Sequence, residues 1–276
     1  MKKSIVWLAS YPKSGNTWTR VFLANYLANR EEPLAINDVH RFGMGDSIAK
    51  SYQMVTQGRV DLNDQAQVLK ARDLVLQAIV RNNADVNFVK THNICGSAHN
   101  VELVPERYTR SAVYIIRNPL DVVLSFARHF GYDQEHAVTA MGHSHHVTTP
   151  DGPTIWQFLG SWTDHVQSWT LERRFPVLVL RYEDLLTAPE EHFGRLLEHI
   201  GIPPEAERLE KAIRFSSFKE LKKQEDDSGF VEKSPKTDSF FAKGTSGQWK
   251  TDLPPELARK LRKQHRKTMK KFGYLE

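Results

Sequence analysis

Four short apolar runs, rich in β-branched residues, punctuate the first two thirds of the chain: Ile5–Ala9, Val86–Val89, Ala112–Ile116 and Val177–Leu180. They are too short for helices, and most of their positions are apolar without alternation. That is the pattern of strands buried on both faces, as in a parallel sheet. Helical periodicity fills the intervals. Thr17–Asn29 reads as one helix, and Asp64–Arg81 as another with Val68, Leu69, Val75, Leu76, Ile79 and Val80 on its apolar face. Leu120–Phe130 and Ile155–Glu172 complete the alternation. Strand and helix in turn predict an α/β fold, a mostly parallel central sheet flanked by helices.

Beyond Leu180 the pattern becomes helical, at Pro189–Ile200, Glu205–Phe215 and Ser217–Lys223. The polar stretch Gln224–Ser239 predicts a mobile loop. A basic amphipathic helix at Pro255–Phe272 closes the chain, with Leu257, Leu261 and Phe272 available to a core. No internal repeat and no linker rich in Pro, Gly or Ser divides the sequence, so residues 1–276 are expected to form a single domain.

Composition narrows the classes. The 276 residues are 40% hydrophobic and 26% charged, ordinary for a globular protein. A net charge of +5 and a pI near 9.2 suit an anionic ligand but are too weak to call for nucleic acid. Cys95 is the only cysteine, which excludes an intrachain disulfide and fits a reducing compartment. The N-terminal stretch has too short an apolar core for a signal peptide, and no apolar run approaches the roughly 18 residues of a membrane span. The expected location is cytoplasmic.

Chemistry enters with the loop after the first strand, Tyr11-Pro-Lys-Ser-Gly-Asn-Thr-Trp18. Lys13 precedes the lone Gly15, so this is not the common nucleotide loop, in which Lys follows the last Gly. It still presents backbone N–H groups at a helix N-terminus, with Ser14, Asn16 and Thr17 as short side-chain donors, an arrangement suited to phosphate or sulfate. An ordinary strand-to-helix turn is the alternative. Arg117 ends another buried strand, Pro119 suits the first turn of the next helix, and Ser125 lies two turns in. Strand ends are where open α/β sheets bind ligands, and an Arg there calls for an anion. Its bland alternative is an ion pair with Asp121.

Together these stretches resemble the sulfotransferases that use 3′-phosphoadenosine 5′-phosphosulfate (PAPS). Lys90-Thr-His-Asn93, Arg181-Tyr-Glu-Asp-Leu-Leu186 and Lys243-Gly-Thr-Ser-Gly-Gln-Trp-Lys250 are similar to three further motifs of that family, in the same order. The resemblance spans residues 5 to 250. It implies that Lys13 meets the bridging oxygen and the sulfuryl group, and that Ser14, Gly15, Asn16 and Thr17 hold the 5′-phosphate. It implies further that Arg117 and Ser125 bind the 3′-phosphate, with Lys243 and Gly244 closing over it. Trp18 would stack on adenine, although a core position for it remains open; Tyr182 would reach the adenine edge, and Ser216 and Phe218 would clamp the ring. Lys13 and Lys90 would stabilise transferring charge while His92 acts as general base. Adenosine 3′,5′-bisphosphate (PAP) would be the product, and no metal is expected. The acceptor would be a small molecule bearing a hydroxyl, or else an amine.

The sequence departs from the family at Ala242, where an Arg is usual, so one 3′-phosphate contact is missing or supplied elsewhere. Gln248 replaces a common Asp. The family's C-terminal dimerisation signature is not visible, leaving the oligomeric state open. Five histidines between His129 and His146 suggest a metal tract, but their spacing suits no helix face and no Cys or Asp/Glu pattern completes a site. Because the insert follows the helix expected at the 3′-phosphate, an acceptor-side lid is the better reading. Trp156, Phe158 and Trp162 suit either an acceptor pocket or the core. Acceptor contacts are expected from 41–57 and 132–153. A P-loop kinase with a degenerate loop and an inactive nucleotide-binding module are the competing readings.

Overall fold

The computed structural model describes residues 4–82, 84–172 and 174–276. Among the described residues, five parallel strands form the central sheet, in the spatial order Met44–Gly45, Asn87–Thr91, Ile5–Ser10, Thr109–Ile116, Val177–Arg181. The four expected strands are present, and the two-residue Met44–Gly45 strand adds an edge that its length hides from the sequence. Ile5–Ser10 lies in the middle, buried at every position. The chain leaves it first towards one edge and later towards the other. The neighbouring strands stay paired with it to its C-terminal end, and the connections leaving on either side run in opposite directions, which is where open α/β sheets form a crevice.

Strand alternation sorts the apolar side chains onto two faces. Ile5, Trp7, Ala9, Ala112, Tyr114 and Ile116 face a core built with the helices Gln65–Val80, Pro119–Phe130 and Trp162–Thr170. Val6, Leu8, Val113 and Ile115 face the other way, against Asn16–Ala28, Pro189–His199 and Ala206–Phe215. The basic helix Pro255–Lys271 buries Leu257, Leu261, His265 and Met269, while Phe272 is only partly buried. No helix among the described residues is long and apolar enough to cross a membrane.

Two expectations are corrected. The helix expected over Ile155–Glu172 begins only at Trp162. Gln157–Phe158 instead pairs antiparallel with Val147–Thr148, and Ser161 caps the helix in a reciprocal capping box with Asp164. The stretch expected to be a mobile loop is pinned. Its first residues extend the helix Phe218–Ser228, and the buried Glu225 accepts hydrogen bonds from the backbone N–H groups of Phe240 and Phe241 and from Ser239.

Candidate active site

The loop after the first strand is held from both sides. Asn16 Nδ2 donates to the carbonyl of Leu8 at 2.8 Å, and the Thr19 N–H donates to that of Gly15 at 3.1 Å. Gly15 sits at φ +106°, where a Cβ would also fall 2.7 Å from Tyr182 Cδ2. Glycine is thus required by backbone conformation and by close approach alike. Lys13 adopts φ +69°, a left-handed conformation that is uncommon for a side-chain-bearing residue and concentrates at functional sites. The following helix has no acidic residue in its first turn. Ser14 Oγ, Asn16 Oδ1, Arg20 Nε and Arg117 Nε are buried without a hydrogen-bond partner among the described residues. Ser14 Oγ and the two guanidinium Nε–H groups are orphaned donors, whereas Asn16 Oδ1 is an acceptor. Orphaned buried donors are rare and costly, so these three suit an anion.

Arg117 joins this loop to the C-terminal motif. It donates to the carbonyl of Lys13 and to that of Thr245, both at 3.1 Å, and its guanidinium lies 4.2 Å from the Tyr182 ring centre. It does not pair with Asp121, whose carboxylate accepts from the N–H groups of Gly247 and Trp249. Asp121 thus folds the Lys243–Lys250 segment over the crevice. Trp18 packs edge-on against Tyr182 and Phe193 and shares an apolar cluster with Phe218, which lies against Gly244. A Cβ on Gly244 would come within 2.1 Å of Phe218. The structure therefore brings together Lys13 to Trp18, Arg117, Tyr182, Phe218 and Gly244. Ser125 lies partly exposed on the helix after Arg117.

Two expected residues are directed elsewhere. Ser216 is fully buried, and its hydroxyl donates to the carbonyls of Ala212 and Ile213 in its own helix. Lys243 Nζ donates to Asp252 at 2.6 Å on the surface rather than pointing to Arg117. Both deviations have local causes: a serine ending a helix bonds back to the last carbonyls, and a flexible lysine takes the nearest carboxylate.

Lys90 and His92 are half-buried on either side of the buried Thr91, as strand alternation requires. This strand end is clamped by a buried network. Asp46 accepts from Arg72 at 2.6 Å, Thr91 at 2.8 Å and Asn93 at 3.0 Å. His92 Nδ1 lies 2.8 Å from the carbonyl of Ser10. A carbonyl only accepts, so Nδ1 carries the proton and the Nε2 lone pair is left for chemistry. Burial and the charge of Lys90 hold the His92 pKa well below the usual imidazole value. Burial likewise lowers Lys13, to about 7, with Lys90 adding to the effect. Lys90 is lowered by burial, which its partner Glu232 opposes.

A Sulfotransferase domain profile matches residues 3–273. The chain belongs to the sulfotransferase family. Human sulfotransferase 1E1 is 26% identical over 280 residues, covering 95% of this chain and 83% of the relative. Dog sulfotransferase 1A1 is 30% identical over 155 residues, 50% of this chain and 48% of that protein, so this match spans about half the relative's length. Among solved structures, retinol dehydratase in complex with androsterone and the inactive cofactor PAP superimposes with a TM-score of 0.67 at 18% identity. That match covers 98% of this chain and 82% of the other. Mouse sulfotransferase SULT7A1 complexed with PAP gives a TM-score of 0.62 at 19% identity, covering 98% and 84%. At such identities the likeness is one of fold.

In this sulfotransferase the histidine-rich insert joins a wall of rings. Tyr11 stacks on Phe126 at 5.8 Å, Phe126 meets Phe130 at 4.5 Å and His146 at 5.8 Å, and Tyr132 stacks on His136 at 4.1 Å. Burial pushes His129 down to about 3, helped by Lys13 and Lys90, and His146 to about 4. Both are neutral aromatic rings near pH 7. No group of three or more His, Cys, Asp or Glu among the described residues is arranged to hold a metal ion. Trp162 is fully buried in the core, and Trp156 Nε1 donates to the Leu62 carbonyl.

Sequence reasoning missed Arg20, Arg128, Glu232 and Phe240. Arg20 is buried one turn after Thr17 on the same helix, and Arg128 follows Ser125 by the same three residues. Helical periodicity applied to the expected ligands would have found both. Glu232 and Phe240 carry no such signal.

Proposed function

We propose that this protein transfers the sulfuryl group of PAPS to a hydroxyl, or less favourably an amine, of a small apolar acceptor. The observation that carries the reading is the convergence of Lys13, Lys90 and a tautomer-fixed His92 beside a loop with unsatisfied buried donors. PAP in the relatives' structures is consistent with it. Residues 1–276 act as one domain in this reading, in the cytoplasm, without nucleic acid or metal.

The donor supplies a sulfuryl group on a phosphate leaving group. Ser14 to Thr17 hold the 5′-phosphate through backbone and side-chain donors. Arg117 and Ser125 hold the 3′-phosphate, with the Gly244 backbone close by; Lys243 joins only by leaving Asp252. Trp18 and Phe218 flank the adenine, and Tyr182 meets its edge. Ser216 supports the clamp through its helix end. Lys13 stabilises charge on the leaving oxygen and Lys90 that on the sulfuryl oxygens. An anion at the loop raises the depressed pKa of Lys13 and so secures its proton. His92 Nε2 takes the acceptor proton. The partly buried rings of Phe130, Tyr132 and His146, packed against the buried Phe126, suit an apolar acceptor; complexes of retinol dehydratase hold androsterone and retinol, both apolar.

Incubation with PAPS and a library of phenols, alcohols and amines, read by mass spectrometry, tests the reaction through a PAPS-dependent gain of one sulfuryl group. Thermal stabilisation by PAP but not by ATP with Mg²⁺ separates this reading from a kinase. The opposite preference overturns it.

A further inference from the structure

Lys90 and Lys13 are already covered, both by the segment running from Gly229 to Ala242. Glu232 of this segment accepts from Arg20 Nη2 at 2.7 Å with each carboxylate oxygen, and from Thr17 Oγ1 and Lys90 Nζ at 3.3 Å. Burial alone would raise the pKa of Glu232. The charges of Lys90 and Arg20 outweigh burial and hold the carboxylate ionised, far below its usual range. Phe240 of the same segment lays its ring 3.7 Å from Lys13 Nζ. The segment is fastened by bonds of Asn37 to Gly229 and Val231, of Lys236 to the Phe130 carbonyl, and of Glu225 to Phe240 and Phe241.

We propose that Glu232 is a built-in substitute for the donor's anion. Its carboxylate occupies the Thr17–Arg20–Lys90 site in the ligand-free protein, the sulfuryl end of PAPS takes that site by displacing it, and Arg20 then becomes a donor ligand. This rests on the donor reading above. A carboxylate and a transferring sulfuryl group each present negative oxygens to the same lysine, and two such anions a few ångströms apart repel. Exchange of one for the other keeps the buried Arg20 paired throughout; an unpaired buried charge is strongly destabilising. Tethering also gives Glu232 a high local concentration. A bare inorganic anion must compete with it unaided, whereas PAPS brings the added grip of its 3′-phosphate and adenine. The strap therefore selects the complete donor over simple sulfate.

The test compares the wild type with Glu232→Gln by calorimetry and thermal unfolding. The expected result has three parts. The ligand-free variant melts at a lower temperature, PAPS binds at least about tenfold more tightly, and inorganic sulfate stabilises the variant at concentrations that leave the wild type unchanged. Glu232→Asp, gentler on the fold, should move donor affinity the same way by less. Adding Arg20→Gln to Glu232→Gln should abolish the gain; full retention of the gain overturns the role of Arg20. Unchanged or weaker PAPS binding in both Glu232 variants overturns the substitute-anion proposal and makes the pair a latch or a purely structural bond. If PAPS binds to neither the wild type nor the variants, the donor reading itself fails, and this proposal with it.

Discussion

The loop Tyr11–Trp18 and the strap Gly229–Ala242 meet at the same two lysines but are built in opposite ways. The loop is shaped mostly by neighbours, with bonds from Asn16 to Leu8 and from Thr19 to Gly15 inside one strand–turn–helix unit, and Arg117 on the Lys13 carbonyl and Glu232 on Thr17 as its distant ties. The strap is held by distant partners, with Glu232 reaching Arg20 across 212 positions and Lys90 across 142. The loop presents donors that lack partners, and the strap supplies an acceptor that already has them. One place therefore holds a site made for anions and a side chain that imitates one. Chemistry belongs to the loop and its neighbouring strand ends in this account, and access belongs to the strap. Variants on the loop side and its strand ends should change turnover, binding or both, while those on the strap side should change binding alone.

The largest expected effect is on the chemical side. His92→Ala should lower turnover by roughly 10²–10⁴-fold at saturating PAPS, the usual scale for a lost acid–base group. PAP affinity, measured by calorimetry on the same protein, should stay close to wild type, because in this reading His92, its Nδ1 held by the Ser10 carbonyl, serves the acceptor and not the nucleotide. Near-normal turnover would remove His92 from proton transfer. The pH profile sharpens this further. A histidine held below its ordinary value keeps its neutral, basic form to lower pH. The acid limb of kcat/KM should therefore fall below the usual imidazole range, as pH drops through the lowered pKa.

Arg117→Ala comes next. The wild type should bind PAP far more tightly than adenosine 5′-monophosphate. The substitution should erase most of that preference, by about 10–100-fold for one or two charge-assisted hydrogen bonds. Arg117 also ties the Lys13 carbonyl to that of Thr245. Some loss of 5′-monophosphate affinity should accompany the change, but a loss equal for both nucleotides would detach Arg117 from the 3′-phosphate.

How legible each part was follows from where its determinants sit. The four main strands were visible because burial on both faces leaves continuous apolar runs, and Ile5–Ser10 is such a run. That Lys13, Gly15 and Arg117 lie together at the strand ends was legible because their motifs are local and each follows a buried strand. The Met44–Gly45 strand was not, since two residues have no period. The Gln224–Ser239 stretch was misread because polar composition resembles a mobile loop until Glu225 is seen accepting backbone bonds. Lys243 and Ser216 show the converse limit: a motif names the residue but not the partner its side chain chooses. Asp252 and the helix carbonyls claim these two.

A smaller effect concerns protons. In the ligand-free protein Lys13 sits near pKa 7 through burial, with Lys90, Arg117 and Arg128 lowering it and Glu232 raising it. A bound anion favours the charged amine. PAP binding should therefore take up a fraction of a proton at pH values just above 7, visible as a dependence of calorimetric heat on the ionisation enthalpy of the buffer. Affinity should decline as pH rises through that range in the wild type and stay flat in Lys13→Met. Equal slopes would place the titration elsewhere.

The smallest effect tests whether the loop side can cover a gap on the C-terminal side. Ala242 stands where the family usually has an Arg, so Ala242→Arg alone would be expected to tighten PAP by about 1 kcal/mol, one charge-assisted hydrogen bond. Arg128 changes that expectation. It lies one turn beyond Ser125 on the solvent-exposed side of the same helix, and desolvation together with the charge of Arg117 lowers its pKa while Asp252 opposes. Two neighbouring like charges persist most readily where an anion joins them, so Arg128 is the natural replacement. We therefore expect Arg128→Gln to weaken PAP by about 1 kcal/mol. Ala242→Arg should restore that loss in the Arg128→Gln background and add less than that in the wild type. If Arg128→Gln leaves PAP affinity unchanged while Ala242→Arg tightens it fully, the contact is missing rather than relocated, and the 3′-phosphate is held by Arg117 and Ser125 without it.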